Sequence, residues 1–492
     1  MPHIPRLEST GESIQLIVDD QPFLMLGGEI GNSSASDPSE LDGMFAKLKA
    51  MNLNTVLIPV YWDLTEPSEG DFDFGLVEAS ISAARAHGLR LVLLWFGAWK
   101  NSMSCYAPGW IKRDTRRFLR VRTQEGTPQE ILSPACPETL RAGKRAYVEL
   151  LNWLAKFDQQ HRTVVMVQIE NEIGMIPEAR DFSPLSQEIW EKNAGLGEEE
   201  FTAWQFATYV ETLAAAGKAV YPLPTFVNAA LIRPGFQPGQ YPSGGPLPHL
   251  FDIWKQHAPS VDFLAPDIYF PNFVEWAEKY HRVGNAMFIP EMAPSFRMAA
   301  NALLAIAALD SIGTCPFAIE DLNSEKAEDL RQLYGKLSEL GQLWQYERIG
   351  LTPRLDFDWN LQSETEEGAL GGICFTAKFD RTIVGGDNTI SALPTHGNGR
   401  WEAPLGTPLG GVMIIQLDQN EFLALGKGTV LTFKSIEGTQ RVGIESAQAG
   451  TLVNGQWHGG RWLNGDQTHQ GRHIHLYDGG WSMQRFKLYR YE

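Results

Sequence analysis

The sequence has few cysteines and no long apolar run, and both absences exclude a class of protein. Its 492 residues include 4 cysteines, none of them in a Cys-x-x-Cys pair. So few cysteines do not make a disulfide framework, although one bridge between Cys105 and Cys136 remains open. The longest apolar candidate, residues 298–309, is shorter than the roughly 20 residues that cross a bilayer. We therefore expect no membrane partner.

The sequence also lacks a basic run and the usual nucleotide and serine-nucleophile motifs. The formal net charge is -18, which disfavours nucleic acid as a partner. The chain contains no G-x-S-x-G, no phosphate-binding glycine loop and no dinucleotide fingerprint, so serine hydrolase, kinase and dehydrogenase lack support. No charged segment followed by an apolar stretch begins the chain, so we expect a cytoplasmic protein as given, or a periplasmic or secreted one if a leader was removed.

Short apolar runs instead alternate with amphipathic stretches between about residues 22 and 346. This alternation predicts βα units, and the apolar positions are consecutive, as in strands buried on both faces. Eight strands are predicted, the number of a closed (β/α)8 barrel. They are Phe23–Gly27, Thr55–Val60, Arg90–Trp95, Val164–Ile169, Thr225–Asn228, Phe263–Tyr269, Ala286–Ile289 and Gly313–Ile319.

Two helices of this region have clear signals. Asp37 to Glu40 reads as an N-cap, a proline at the first helical position and a glutamate three residues past the cap, followed by apolar residues at helical spacing. Near the end, Ser324 is the predicted cap of a second apolar stripe. Two inserts, residues 101–136 and 234–249, follow the third and fifth strands, at the barrel face that carries active sites.

From about Pro353 the helical periodicity disappears. Short apolar runs separated by Gly, Asn and Asp predict an antiparallel β-sandwich or jelly roll. We therefore expect a catalytic barrel over residues 1–350 and a β-sandwich domain over residues 351–492.

Two glutamates lie where predicted strands end. Glu172 is the last residue of Gln-Ile-Glu-Asn-Glu at the end of the fourth strand. Glu291 follows the apolar residues Phe-Ile-Pro at the end of the seventh strand. Two carboxyl groups at the tops of barrel strands suit retaining glycoside hydrolysis, which uses one as nucleophile and one as acid and then base. We assign Glu172 as acid/base and Glu291 as nucleophile, with Asn171 on the sugar 2-hydroxyl and Glu170 as a supporting residue.

Several longer motifs accompany these glutamates. They are Tyr-Trp-Asp-Leu-Thr-Glu-Pro at 61–67, Gly-Asp-Phe-Asp-Phe at 70–74, Pro-Gly-Trp at 108–110, Gln-Ile-Glu-Asn-Glu-Ile-Gly at 168–174, and Leu-Asn-Gly-Asp-Gln-Thr-His-Gln-Gly-Arg at 463–472. On these motifs the chain resembles glycoside hydrolase family 35, the β-galactosidases of the retaining barrel clan. The last motif resembles the C-terminal β-sandwich domain of unknown function in one bacterial branch of that family.

The sequence departs from this family at two strand ends. The first strand ends in Glu-Ile-Gly-Asn-Ser at 29–33, where the family has an Ile-His-Tyr-like motif. After the third strand, where the family offers a glutamate that holds sugar hydroxyls, the chain has Trp99 and Lys100. A lysine donates to hydroxyls and does not accept from them. We expect both residues in the substrate site, with a changed preference between sugar epimers.

Four further residues are predicted at the sugar site from their places at strand ends: Tyr61, Asn228, Tyr269 and Glu320. Tyr269 is expected to hydrogen-bond the nucleophile or to lie at the rim, and Glu320 to line the pocket or to form an ion pair. His469, His473 and His475 alternate as on a surface strand, and zinc is the weaker interpretation. The predicted chemistry needs no metal and no cofactor.

The sequence therefore predicts a retaining exo-β-glycosidase, first of all a β-galactosidase, with an oligosaccharide or other β-glycoside as substrate. The alternatives are a β-glucosidase or a retaining transglycosylase on the same scaffold, and a carbohydrate-binding protein without catalysis. A homo-oligomer is an open possibility.

Overall fold

The computed structural model describes residues 3–11, 13–193, 195–380, 403–404 and 406–492. The described chain begins with a three-stranded antiparallel sheet that the sequence did not predict, formed by β1 (Arg6–Thr10), β2 (Ser13–Val18) and β3 (Gln21–Pro22). Strand β1 is mostly exposed and β3 has two residues, and only the last three residues of β2 are buried, so this sheet has little of the apolar signal that predicted the barrel strands.

The predicted (β/α)8 barrel is confirmed, with eight strands closed in the order β10-β11-β12-β13-β4-β5-β6-β9. The strands of this region, including a two-stranded antiparallel pair formed by β7 and β8, are β4 (Met25–Glu29), β5 (Thr55–Tyr61), β6 (Arg90–Lys100), β7 (Arg120–Arg122), β8 (Pro128–Leu132), β9 (Val164–Asn171), β10 (Thr225–Ala230), β11 (Phe263–Ile268), β12 (Ile289–Met292) and β13 (Gly313–Pro316).

Eleven α-helices are present in the described part of the chain. They are α1 (Pro38–Ala50), α2 (Trp62–Thr65), α3 (Gly75–Ala86), α4 (Gly109–Arg113), α5 (Pro137–Phe157), α6 (Pro184–Lys192), α7 (Glu198–Lys218), α8 (Phe251–His257), α9 (Phe273–Tyr280), α10 (Met298–Ala308) and α11 (Ser324–Ser338). Short 3-10 helices span Pro248–Leu250, Ile319–Asp321, Gly341–Gln345 and Gly465–Thr468. None of the helices described is both long and apolar enough to span a bilayer.

The helix signals explain where α1 and α11 begin. Before α1, Asp37 Oδ1 accepts the Ser39 amide at 2.9 Å, as expected. At α11 the predicted cap is one residue off. Asn323, rather than Ser324, has extended backbone, and its side-chain oxygen accepts the Lys326 amide at 2.9 Å. The two caps therefore follow the same chemistry, and only the position at α11 was wrong.

The C-terminal region has two antiparallel sheets, as predicted. The six-stranded sheet has the order β14-β17-β18-β23-β20-β21 and the four-stranded sheet the order β15-β16-β19-β22. Their strands are β14 (Arg348–Leu351), β15 (Thr365–Leu370), β16 (Ile373–Phe379), β17 (Gly411–Asp418), β18 (Glu421–Lys427), β19 (Thr429–Ser435), β20 (Arg441–Val453), β21 (Gln456–Trp462), β22 (Ile474–Leu476) and β23 (Ser482–Tyr491). Both sheets contribute to one apolar core, in which Phe375, Phe422 and Phe486 pack edge-on or stacked.

Contacts divide the chain into two compact units. The first comprises Met1–Lys49, Asn54–Ile268 and Lys279–Glu291, and the second comprises Ala50–Leu53, Tyr269–Glu278 and Met292–Glu492. Strand β14, which pairs with β17, spans the predicted domain boundary at residue 350. That boundary stays a prediction.

Candidate active site

The end of strand β9 carries two glutamates in an uncommon backbone conformation. Glu170 has φ 60° and Glu172 has φ 43°, both in the left-handed region. Residues other than glycine rarely adopt this region, and when they do the position is often functional. The regular alternation of strand side chains is broken here, so the two glutamates reach different surroundings.

Glu170, predicted as a supporting residue, is fully buried. Its Oε2 accepts the Trp99 amide at 2.8 Å, which ties the end of β9 to the end of β6. Burial raises the pKa of Glu170 to about 8, although the backbone amides of residues 97–99 act in the opposite direction. The carboxyl group therefore serves the scaffold beside the site.

Glu172 lies in a group of three carboxylates that we call the carboxyl cluster. It consists of Glu172, Asp267 and Glu291, each contributing one oxygen, and these oxygens lie within 4.8 Å of one another. All three residues are buried, with 7%, 2% and 5% of their surface exposed. They come from β9, β11 and β12, at or just beyond the carboxyl ends of parallel strands, where barrel active sites form.

Asn228 holds two members of the cluster in place. Its Oδ1 accepts the Glu172 amide at 2.9 Å, and its Nδ2 donates to Asp267 Oδ2 at 2.6 Å. Both hydrogen bonds are buried, which makes them costly to break. The predicted site residue Asn228 thus acts on the backbone of one carboxyl residue and the side chain of another.

Burial and neighbouring charges set the protonation of the cluster. Burial raises the pKa of Glu172, while the charge of the Lys100 ammonium acts in the opposite direction. The pKa of Asp267 is raised well above its ordinary value, first by burial and then by the charges of Glu291, Glu172 and Glu29. A raised pKa on Glu172 suits a general acid at neutral pH.

The charge of Lys100 acts on Glu172 and Asp267, two members of the carboxyl cluster, and its role toward the substrate stays a prediction. Lys100 is 6% exposed, and its Nζ is 5.1 Å from the centre of the Phe96 ring. An irregularity in β6 between Trp95 and Lys100 brings Lys100 into register with Asn171. Three carboxylates are also the ligand type of hard cations. The Lys100 ammonium, whose charge acts on Glu172 and Asp267, supplies positive charge beside the same carboxylates.

Two asparagines lie next to Glu172, Asn101 by a side-chain hydrogen bond and Asn171 as its neighbour in the chain. The Asn101 side chain donates to Glu172 Oε2. Asn171 is fully buried, and neither side-chain atom has a hydrogen-bond partner within the described chain. Buried amides are normally hydrogen-bonded, so the Asn171 side chain is free to bind a hydroxyl group of a ligand.

The loop after residue 172 is fixed by the second insert. Met175 and Ser243 exchange backbone hydrogen bonds of 2.8 and 3.1 Å. A Cβ on Gly174 would lie 2.4 Å from the backbone of Pro242, so only glycine permits this approach. The insert over residues 234–249 therefore packs against the segment that follows Glu172.

Two predicted residues lie in aromatic surroundings. Trp99 is fully buried, donates from Nε1 to the Leu132 carbonyl at 3.0 Å, and packs edge-on against Phe206 and Tyr209. These contacts are those of a core residue, and Trp99 has no role in the function proposed below. Tyr61 stacks on Tyr106 at 5.6 Å between ring centres.

The two remaining predicted residues lie in the second compact unit. Tyr269 follows β11 and meets Phe317 edge-on at 6.4 Å between ring centres. Glu320 belongs to the 3-10 helix Ile319–Asp321. Both assignments stay predictions.

The cysteines and the C-terminal histidines are the remaining residues for which the sequence suggested a bond or a ligand. All four cysteines are free, so the bridge between Cys105 and Cys136 is wrong. The rings of His469 and His473 lie 5.3 Å apart, and His475 contacts Asp380 at 3.2 Å. Among the described residues, the grouping with metal-ligand spacing is the carboxyl cluster and not these histidines.

Sequence reasoning missed Asp267, Asn101 and Glu29 as members of the site. A signal for Asp267 was available, because an aspartate within the apolar run Phe-Leu-Ala-Pro-Asp-Ile is as unexpected as the glutamate of Ile-Pro-Glu-Met. Glu29 ends β4 and is 1% exposed. Asn101 depends on the irregular end of β6, which periodicity does not reveal.

Comparison with known families matches two stretches of the chain. Residues 35–213 match Glyco_hydro_42, described as beta-galactosidase, and residues 330–475 match a domain of unknown function, DUF5597. The expected C-terminal domain of unknown function is supported. The family itself was wrong, since the barrel match is of family 42 type and not family 35.

Two relatives are both named for β-galactosidase. The chain is similar to Beta-galactosidase of Xanthomonas manihotis, with 28% identity over 174 residues, 33% of this chain and 26% of the relative. It is similar to human Beta-galactosidase-1-like protein 3, with 27% identity over 183 residues, 36% of this chain and 26% of the relative. The chain thus spans about a quarter of the length of the curated relatives it matches.

A solved structure supports the fold. The β-galactosidase from the psychrophilic Marinomonas ef1 superposes with a TM-score of 0.50 at 11% identity, covering 64% of this chain and 59% of that one. At this identity the likeness bears on the fold alone.

Proposed function

We propose that this protein is a retaining exo-β-glycosidase, with β-galactosides as the first substrates to test. The observation that carries the proposal is the approach of Glu172 and Glu291, whose carboxylate oxygens lie within 4.8 Å of each other. Retaining enzymes place the two carboxyl groups about 5 Å apart, whereas inverting enzymes leave about 6.5–9.5 Å for a water. The similarity of residues 35–213 to β-galactosidases supports the same chemistry.

In the first step, Glu291 attacks the anomeric carbon while Glu172 gives its proton to the leaving oxygen. The raised pKa of Glu172 keeps that proton available. In the second step the Glu172 carboxylate takes a proton from water, which displaces the sugar from Glu291. The unpartnered amide of Asn171 is positioned beside Glu172 in the chain to hold a sugar hydroxyl through both steps.

The preference between sugar epimers is a separate proposal. Lys100 is buried at the carboxyl cluster, where it can donate to hydroxyls and not accept from them. This observation favours a hydroxyl pattern different from that read by a carboxylate, so β-glucosides are the second candidate substrates. Water and an acceptor sugar compete in the second step, and product analysis with an added acceptor separates hydrolysis from transglycosylation.

The test is a screen of aryl β-glycosides with wild type and Glu291→Gln. We expect turnover of a β-galactoside or β-glucoside with the β-anomer as first product, and loss of turnover in the variant because an amide cannot attack. Thermal melting should show that the variant folds. A first product of the opposite anomer, or a variant that keeps a substantial part of the wild-type rate, would contradict the assignment. A wild-type protein that binds these sugars and never turns them over would favour the binding-protein alternative.

A further inference from the structure

The proposed two-carboxylate mechanism leaves the third member of the carboxyl cluster without a task. Asp267 is buried, and its Oδ1 has no hydrogen-bond partner within the described chain. An ionised aspartate at this position would sit within 4.8 Å of two other carboxylates. Like charges at this distance are unfavourable unless a proton or a cation intervenes.

Asn228 determines which oxygen of Asp267 is able to carry a proton. The Glu172 amide is a donor, so the Asn228 atom that accepts it must be the amide oxygen. The Asn228 NH2 group therefore faces Asp267 Oδ2 and donates to it at 2.6 Å. With Oδ2 occupied as an acceptor, a proton on Asp267 belongs on Oδ1.

The charges around Asp267 favour the neutral acid. Its pKa is raised by burial and by the charges of Glu291, Glu172 and Glu29, against the opposing effect of Lys100. Tyr280, also fully buried, feels the Asp267 charge and has its own pKa raised well above the ordinary value. Burial and the three neighbouring carboxyl groups thus oppose ionisation of Asp267 more strongly than Lys100 favours it.

Asp267 lies close to the proposed acid. One carboxyl oxygen of Asp267 and one of Glu172 lie within 4.8 Å of each other in the carboxyl cluster. Two carboxyl groups can share a hydrogen bond only when one of them carries a proton. Since the Asn228 NH2 group occupies Oδ2 of Asp267, the oxygen left to carry such a proton is Oδ1.

We propose that Asp267 is a positioning residue that keeps a proton in the resting enzyme and donates a hydrogen bond from it to Glu172. This inference rests on the proposed function, since it assigns a role relative to the acid/base. When Glu172 gives its proton to the leaving oxygen, the Asp267 hydrogen bond stabilises the carboxylate that forms. Asp267 keeps its own proton, and Glu172 is reprotonated by the water that enters the second step.

The substitution Asp267→Asn tests this role because an amide has the hydrogen-bonding pattern of the neutral acid. Its oxygen can accept from Asn228 and its NH2 group can donate to Glu172. We expect kcat/KM to stay within about tenfold of wild type, and Asp267→Leu to lose about a hundredfold or more, the scale of general acid catalysis. Asp252→Asn, an exposed position on α8, is the matched control. If the leucine variant folds and also stays within about tenfold, the role is wrong.

The pH profile distinguishes a neutral from an ionised Asp267. The alkaline limb of kcat/KM reports the pKa of the free enzyme's acid. With a neutral Asp267, the Asp267→Asn variant should keep that limb within a few tenths of a pH unit. An ionised Asp267 would raise the pKa of Glu172, so its removal would move the limb down by about one unit or more, and that result would overturn the proposal.

Infrared spectroscopy tests the proton without any substrate. Wild type at neutral pH should show the carbonyl band of a protonated carboxyl that disappears in Asp267→Asn and persists in Asp252→Asn. Absence of such a band overturns the inference, and so does stabilisation of wild type by Mg²⁺ or Ca²⁺ that the Asp267→Asn variant lacks. Failure of the proposed function would appear differently, as a chain that turns over no glycoside while the infrared band remains.

Discussion

Removal of the Lys100 ammonium should weaken turnover and move its pH dependence in a defined direction. Lys100 is the cation that lowers the pKa of both Glu172 and Asp267. An opposite charge within about 4–6 Å commonly shifts a carboxyl pKa by about 1–3 units. In Lys100→Ala the pKa of Glu172 should therefore rise, and the alkaline limb of kcat/KM should move up by about one unit.

The same substitution also removes a hydroxyl donor from the sugar site. Leaving a polar partner unpaired costs about 1–3 kcal/mol, which corresponds to a loss in kcat/KM of roughly 5- to 160-fold. Lys144→Ala, at an exposed position on α5, is a matched control in which neither quantity should change.

The assay compares galactoside and glucoside kcat/KM over a range of pH in wild type and both variants. If Lys100 reads a sugar hydroxyl, the ratio of the two substrates should change together with the absolute values. The reasoning is refuted if Lys100→Ala changes neither the ratio of the two substrates nor the position of the alkaline limb, and if kcat/KM for both substrates stays within about twofold of wild type. Lys100 would then be outside the sugar site.

Two further predictions concern Glu172 and Glu170. Glu172→Ala should slow glycosides with poor leaving groups by about a hundred- to ten-thousandfold and activated aryl glycosides far less, with added azide giving a β-glycosyl azide; equal losses on both substrates would count against the acid/base role. For Glu170, the folded pKa of about 8 exceeds the ordinary 4.5, so the stabilising effect of its proton is complete below about pH 4.5 and is lost as pH rises through about 8. Thermal melts should therefore show wild type losing more stability between pH 5 and about 9 than Glu170→Gln, and parallel curves would mean that Glu170 is not protonated in the fold.

The barrel was predictable because its strands are buried on both faces. In β5 and β9 every residue is buried, so apolar runs mark the strands directly. The seventh strand was displaced, from Ala286–Ile289 to Ile289–Met292, because residues 286–288 are equally buried without pairing as a strand. Burial alone therefore located the strands and did not fix their ends.

The site was only partly predictable because it depends on interruptions of regular structure. Polar residues at strand ends predicted Glu172 and Glu291, and the structure brings these two residues together, while their catalytic roles stay predictions. Glu170 and Glu172 have different surroundings because both adopt left-handed backbone conformations. Lys100 pairs in register with Asn171 because strand β6 is irregular between Trp95 and Lys100. Trp99, adjacent to Lys100, packs into the core instead. Sequence spacing could not distinguish these two neighbours, because it carries no information on such irregularities.

The central claim is that Glu291 forms a covalent bond to the sugar while Glu172 assists. Incubation with a 2-deoxy-2-fluoro β-glycoside of the preferred sugar, followed by protease digestion and mass spectrometry, measures this directly. The account predicts one sugar per chain, attached to the peptide that contains Glu291, with labelling lost in Glu291→Gln and retained in Lys144→Ala. A label on Asp267 or on any other residue, or inactivation without a covalent adduct, would contradict it.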